Sequence, residues 1–351
     1  MILTETASTP KITSAEKTEY IVKNAKESPF VIYGMSDGYY RIGDEKVRNL
    51  NAELSYLTEY TAGGRIRFRT DSDRLLVRIK NQWSYNIETA AGRFDVYVTD
   101  ENGKTFFSNI MSVTQVDRDE HKNYAEAGAF IARNGHGMLD VTVNFPICLG
   151  IEDLFIGLKE GCRLEAPTPY RYRTPIVFYG SSIVHGIGAS RPGMAYPSII
   201  GRRFDSDYIN LGFAANAKAE PEMMEYISKL NMSVFVYDYD HNSPNIEHLK
   251  ATHRRGYEIF RKNQPYTPVI MASKVDFYPN DTASAARRQV IKESYEKGLD
   301  DGDTNLYFID GETVFGEEYA DASHDGCHPN DYGFILMANA FGRIIKNLLQ
   351  A

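Results

Sequence analysis

Residues 177–186 read VFYGSSIVHG. Strand-favouring residues run into Gly180, two serines follow, and Ile183 starts a new pattern. A strand is turning into a helix here, and two hydroxyls sit at the turn. The stretch by itself leaves two readings. Serine is a favoured helix cap, and serine is also a nucleophile once a base takes its proton. The residues that would decide lie elsewhere in the chain.

Outward from Pro175, short apolar runs alternate with helical patterns. The runs predict strands at 176–179, 208–213, 234–237, 269–272 and 306–309. Helices are expected at 222–230, where Met223, Met224, Ile227 and Leu230 share a face, and at 246–261, with Pro244 near its first turn. Two more are expected at about 282–298 and 330–349. Strands that alternate with helices imply βαβ units, a parallel sheet and helices on both faces. The expectation is a three-layer, flavodoxin-like α/β domain with a five-stranded parallel sheet.

The first half has a different period. "RIRFRT", "RLLVRIK", "FDVYVTD" and "LDVTVNF" alternate apolar and polar residues and are bounded by turns such as "TAGG", "DSD" and "ENGK". "GIEDLFIGLKEG" supplies a last strand. This half reads as all-β, an antiparallel, jelly-roll-like sandwich. "LEAPTPYRYRTP", with three prolines, marks the boundary. The expected domains are therefore residues 1–168 and 169–351.

The chain has 351 residues and a formal net charge of −8, with a mean hydropathy of −0.40. It holds no basic stripe, which argues against nucleic acid as a partner. No stretch approaches the ~20 apolar residues of a membrane span, so no membrane partner is expected. The first residues lack a cationic start and an apolar run. As given, the chain reads as cytoplasmic, and a trimmed secretory form would look the same. Three cysteines, Cys148, Cys162 and Cys327, are too few for a disulfide framework, although a Cys148–Cys162 bridge stays open. The sequence leaves the oligomeric state undetermined.

In an open parallel sheet, ligands bind beyond the carboxyl ends of the strands. Ser181 and Ser182 follow the first strand there. Ala214, Ala215 and Asn216 follow the second. "DYDHN", residues 238–242, follows the third, and Lys274 and Asp276 the fourth. "SHDGCHPNDYG", with Asp325 and His328, comes after the fifth. This set suits acyl transfer: a hydroxyl, an imidazole to take its proton, and a carboxylate three residues away to orient the ring. The oxyanion would need fixed donors, for which the nucleophile's N–H, the Ala215 N–H and the Asn242 amide are candidates. Ser181, His185, Asn216, His241 and Lys274 stand on the same rim as candidates for substrate contact.

Four blocks carry a resemblance: "GSSI" at 180–183, "FAANA" at 213–217, "DYDHN" at 238–242 and "DGCHPNDYG" at 325–333. In this order, each after its strand, they resemble the SGNH (GDSL-type) hydrolases. The resemblance covers about residues 174–351 and implies an ester hydrolase without a cofactor or a metal. It makes Ser182 the nucleophile, His328 the base and Asp325 its partner, with Asn242, Ala215 and the Ser182 N–H around the oxyanion. Two positions depart from the pattern. Ser181 replaces the usual Asp, and Ala215 replaces a Gly. The first half is similar to the β-sandwich that precedes the catalytic domain in carbohydrate-esterase-like members. An acetyl ester on a carbohydrate is the substrate implied.

Other readings stay open. A longer-chain acylhydrolase would share the motif set. Asp240, His241, His324, Asp325, Cys327 and His328 are residue types that bind zinc, although no pair has a familiar helical metal spacing. A degenerate hydrolase that only holds glycan is a third reading. Cys327 is expected as a small filler. Trp83 and Tyr85 are candidates either for the sandwich core or for stacking on a sugar.

Overall fold

The structure is a computed structural model that describes residues 11–13, 19–36, 38–80, 92–115, 124–132, 137–278 and 281–350. Trp83 and Tyr85 lie outside the described residues. The chain forms two compact units. One comprises Met1–Tyr40, Glu59–Pro169 and Arg191–Gly193, and the other Arg41–Thr58, Tyr170–Ser190 and Met194–Ala351.

The first unit is built from twelve described strands: β1 (Lys11–Thr13), β2 (Glu19–Asn24), β3 (Val31–Tyr33), β4 (Arg65–Thr70), β5 (Arg74–Lys80), β6 (Arg93–Thr99), β7 (Thr105–Ser112), β8 (Thr114–Gln115), β9 (Tyr124–Phe130), β10 (Leu139–Asn144), β11 (Asp153–Lys159) and β12 (Leu164–Glu165). They pair antiparallel in two sheets, ordered β1-β2-β11-β5-β9-β8 and β12-β4-β10-β6-β7, with β3 also on β4. Register follows the period-two pattern, because a slip by one residue would turn the apolar set outward. Val141 stands opposite Phe68 and Val98, and Val143 opposite Ile66 and Val96. These side chains meet Leu75, Val77, Ile79, Leu154 and Ile156 from the other sheet in one buried core. This is the expected antiparallel β-sandwich.

The all-β reading of the first half needs one correction. Residues 41–58 carry two helices, α1 (Glu45–Arg48) and all but the last residue of α2 (Ala52–Glu59), and they belong to the second unit. The local chemistry explains them. Asp44 caps α1 by accepting from the Lys46 and Val47 N–H groups at 2.9 and 3.4 Å. Asn51 accepts from the Leu54 N–H at 2.8 Å, and Leu54 and Leu57, three residues apart, are buried.

The second unit holds strands β13 (Tyr172–Gly180), β14 (Ser206–Gly212), β15 (Val234–Asp238), β16 (Val269–Ala272) and β17 (Leu306–Ile309). All pair parallel, in the order β14-β13-β15-β16-β17. Counted within the unit, that order is 2-1-3-4-5, the flavodoxin-like arrangement. The helices are α3 (Ser182–His185), α4 (Tyr196–Phe204), α5 (Pro221–Ser228), α6 (Ile246–Asn263), α7 (Thr282–Asp300), α8 (Glu312–Phe315) and α9 (Asp331–Gln350). Helix α6 starts at Ile246, as expected, with Asn245 as the cap, accepting from the His248 N–H, and Pro244 just before it; it runs two residues further, to Asn263. Strand β15 is buried along its whole length, as expected for a parallel strand covered on both faces. Strand order reverses between β13 and β15, so the crevice for a ligand opens beyond their carboxyl ends. No described helix is long and apolar enough to cross a membrane.

Candidate active site

Strand β13 ends at Gly180. Glycine is required here, because a Cβ would lie 2.1 Å from the Asp238 carbonyl oxygen on β15. The two serines then take different places. Ser181 is buried and caps α3, its Oγ accepting from the Ile183 N–H at 3.2 Å. Ser182 is the first helical residue, and its Oγ is 2.9 Å from Nε2 of His328.

His328 sits in the loop before α9. Asp325 organises that loop from within. Its Oδ1 accepts from the N–H groups of Cys327 and His328 at 2.9 and 2.7 Å, and its Oδ2 meets His328 Nδ1 at 2.8 Å. Burial works to raise the Asp325 pKa, but these hydrogen bonds and the His328 ring hold it down to about 2. The loop is pinned from outside as well. Asp331, at the start of α9, accepts from the Ser190 N–H at 2.8 Å and the Ser190 hydroxyl at 2.5 Å. Gly188 (φ 97°) passes so close that a Cβ would lie 2.2 Å from the Pro329 carbonyl oxygen and 3.2 Å from the His328 Cβ.

A tight turn follows β14. The Phe213 N–H donates to the Gly180 carbonyl at 2.8 Å, and the Asn216 N–H closes the turn on the Phe213 carbonyl at 3.0 Å. Ala215, the third residue of this turn, has φ 58°. A side chain in that region costs about 1 kcal/mol relative to glycine. The Asn242 amide donates to the same Phe213 carbonyl at 2.6 Å, which ties the end of β15 to the turn. Among the described residues, no acceptor takes the N–H of Ser182 or of Ala215.

The remaining candidates have definite places. Asn216 donates to the Ala214 carbonyl at 3.1 Å and so braces the turn from inside. His185 is buried on α3. Lys274 donates to Ser284 Oγ at 2.9 Å. His241 is partly buried with its ring in a T-shaped arrangement with Phe277, and its Nε2 has no partner among the described residues. Burial pushes its pKa well down, with Lys274, His328 and Arg287 acting in the same direction. Among the described residues no group of three or more His, Cys, Asp or Glu is arranged to hold a metal. The cysteines are free. Cys327 is exposed and is not a filler; partial desolvation of its thiol and the Asp325 charge push its pKa up, away from the thiolate.

Sequence reading missed three braces. Asp240 is fully buried against Arg287 Nε at 2.7 Å and accepts from the Lys274 N–H at 2.8 Å. The Ser190–Asp331 clamp is the second; Asp331 stands in the "HPND" run, so its position was a signal. The third is Arg41. It is fully buried, and its guanidinium donates to the carbonyls of Gly212 and Leu57. No local pattern links it to a turn 171 residues away.

Comparison with known proteins supplies a lineage for this geometry. A model described as the GDSL-like lipase/acylhydrolase family matches residues 173–346. A second, described as the N-terminus of the SGNH-hydrolase-type esterases, matches residues 22–164. No curated protein matches. A solved structure from Bacteroides ovatus, described as GDSL-like, is 24% identical, with 94% of this chain and 98% of that chain covered and a TM-score of 0.82. The salicylyl-acyltransferase SsfX3 of a tetracycline biosynthetic pathway is 22% identical, with coverage of 94% and 97% and a TM-score of 0.74. An acetyl xylan esterase from Butyrivibrio proteoclasticus is 12% identical, with coverage of 94% and 99% and a TM-score of 0.59. The two models account for both halves in order, and the chain belongs to the GDSL-like (SGNH) hydrolase family, with the N-terminal region of SGNH-hydrolase-type esterases ahead of the hydrolase domain.

Proposed function

We propose that the protein is a serine esterase that removes short acyl groups, acetyl foremost, from a carbohydrate. The observation that carries this reading is the hydrogen-bonded chain Ser182 Oγ, His328 Nε2, Asp325 at 2.9 and 2.8 Å. With a carboxylate on Nδ1, the ring keeps its proton there, and Nε2 is free to accept the proton of the Ser182 hydroxyl. Ser182 Oγ adds to the ester carbonyl as that proton moves to His328. The tetrahedral oxyanion is held by the N–H groups of Ser182 and Ala215 and by the Asn242 amide. Collapse expels the alcohol, which takes the proton from His328. Water then enters, gives its proton to His328 and attacks the acyl-enzyme. Collapse breaks the bond to Ser182 Oγ, which takes the proton back from His328 as the acid leaves.

The loops favour a short acyl group. "AANAKAE" and "DYDHNSPN" offer small and polar side chains. They lack the large apolar set needed to bury a fatty chain at ~0.8 kcal/mol per CH₂. Support for a carbohydrate comes from fold relatives described as an acetyl xylan esterase and as a carbohydrate esterase in complex with cellohexaose, a likeness of fold and not of site. A fluorophosphonate label, located by peptide mapping, tests nucleophile and class together. Ser182 should carry it, Ser182→Ala should lose both label and turnover, and Ser181→Ala should keep most of each. Label on another residue, or equal loss in both folded variants, would overturn the reading.

A further inference from the structure

The Ala215 backbone needs an explanation. A residue with a Cβ is held at φ 58°, and such a conformation persists only where the surroundings fix it. From inside, the turn is closed by Asn216 and by the Asn242 amide on the Phe213 carbonyl. Its other support is Arg41. The guanidinium Nη1 donates to the carbonyl of Gly212, the residue that enters the turn, and its carbon lies 4.6 Å from the centre of the Phe213 ring. Nη2 donates to the Leu57 carbonyl in the last turn of α2, and the Arg41 N–H donates to the Thr58 carbonyl at 3.2 Å. These are carbonyls that a helix end leaves without intrahelical partners. One planar fork thus bridges the end of α2 to the start of the turn. Arginine can do this because its donors diverge at fixed angles; a lysine ammonium has no such fork.

We propose that Arg41 is a positioning residue for the oxyanion site: by clamping Gly212 and Phe213 to the end of α2, it keeps Ala215 in the left-handed conformation that presents its N–H. The inference rests on the esterase reading above. It gives residues 41–58 a role in the second unit, and it accounts for how an alanine is tolerated where glycine would be free of strain.

The test is a double-mutant cycle of Arg41→Gln and Ala215→Gly, with kcat and KM measured on 4-nitrophenyl acetate. Loss of one oxyanion donor lowers kcat by ~10²–10³-fold. Arg41→Gln should therefore lose roughly 10²-fold in kcat with KM within about threefold. In the Ala215→Gly background the same substitution should cost less than about tenfold, because glycine takes the conformation without a clamp. A merely structural arginine would give the same loss in both backgrounds. Equal losses, or an Arg41→Gln variant with unchanged kcat, would overturn the proposal. If Arg41→Gln fails to fold, Arg41→Lys is read through the same cycle, since it keeps a cation but not the two-way bridge. If wild type neither turns over ester nor takes the fluorophosphonate at Ser182, the esterase reading itself has failed and this proposal goes with it.

Discussion

Replacing Asp325 by asparagine should be far more damaging than its size suggests, and the reason is geometric. Oδ1 is already committed to two backbone donors, the Cys327 and His328 N–H groups at 2.9 and 2.7 Å. An amide at this position must therefore keep its oxygen there, and its NH₂ group takes the place of Oδ2. That group then faces His328 Nδ1 at about the distance now seen, 2.8 Å. Nδ1 has to become an acceptor, the ring proton moves to Nε2, and Nε2 points its proton at Ser182 Oγ. The base is in place and in the wrong tautomer. Substitutions of this kind cost ~10⁴ in kcat, about 5.5 kcal/mol of barrier. Folding should survive. Asp325 is held down to about 2, so its stabilising contribution is present above the ordinary carboxylate range and is lost as pH falls toward 2. The full shift would be worth about 2 kcal/mol. The side chain is 44% exposed, and screening reduces the contribution to below about 1 kcal/mol. The assay is kcat on 4-nitrophenyl acetate at pH 7.5, with circular dichroism as a folding control. Asp325→Ala sets no donor against Nδ1 and should lose less than Asp325→Asn. An Asp325→Asn enzyme within tenfold of wild type, or an Asp325→Ala enzyme slower than it, would refute the tautomer argument.

Three further outcomes follow from buried groups and from the site. Burial pushes Asp238 up to about 8, with Tyr196 donating to it at 2.9 Å. Its contribution to stability is full below the ordinary carboxylate range and falls as pH rises toward 8. Wild type should lose about 2 kcal/mol between pH 6.5 and 8 in urea titrations, and Asp238→Asn should not; parallel curves would count against a buried neutral acid. Burial pushes His253 down to about 3, and neither ring nitrogen has a partner among the described residues. Its stability is present above about 6.5 and is lost as pH falls, by about 2 kcal/mol at pH 5. His253→Phe, which keeps the stack on Tyr237, should remove that loss; an unchanged acid limb would place it elsewhere. Across 4-nitrophenyl esters from acetate to decanoate, kcat/KM should be highest at the short end, and a steady climb to eight or ten carbons would make the enzyme a lipase-like acylhydrolase.

What the sequence made legible is what local physics determines. The runs at 269–272 and 306–309 are strands over those residues. Buried parallel strands are short, apolar and flanked by turns, so their signal is self-contained. The Asp325–His328 contact was legible for the same reason, because three residues in one loop bring carboxylate and ring together. The two helices at 45–59 were not, because α1 is four residues long and α2 eight. Their caps, Asp44 and Asn51, are also good turn residues, and the surrounding period-two strands dominate the reading. Which of Ser181 and Ser182 caps α3 was open locally as well. That follows from where β13 stops, and this depends on how closely Gly180 approaches Asp238 on a strand about sixty residues away.

The same contrast explains why the site's most constrained atoms carry the weakest motif. A hydroxyl, an imidazole and a carboxylate announce themselves by residue type. A backbone N–H does not, since every non-proline residue has one. In the reading proposed above, what makes the Ala215 N–H special is its conformation, held through contacts of Arg41 and Asn242 with Gly212 and Phe213, residues contributed by three separate stretches of chain. Sequence at position 215 can therefore drift from glycine to alanine, provided those contacts bear the strain. The substitution should not be read as decay of the site. It moves the burden of preorganisation from one residue to its neighbours, where a motif search does not look and a structure does.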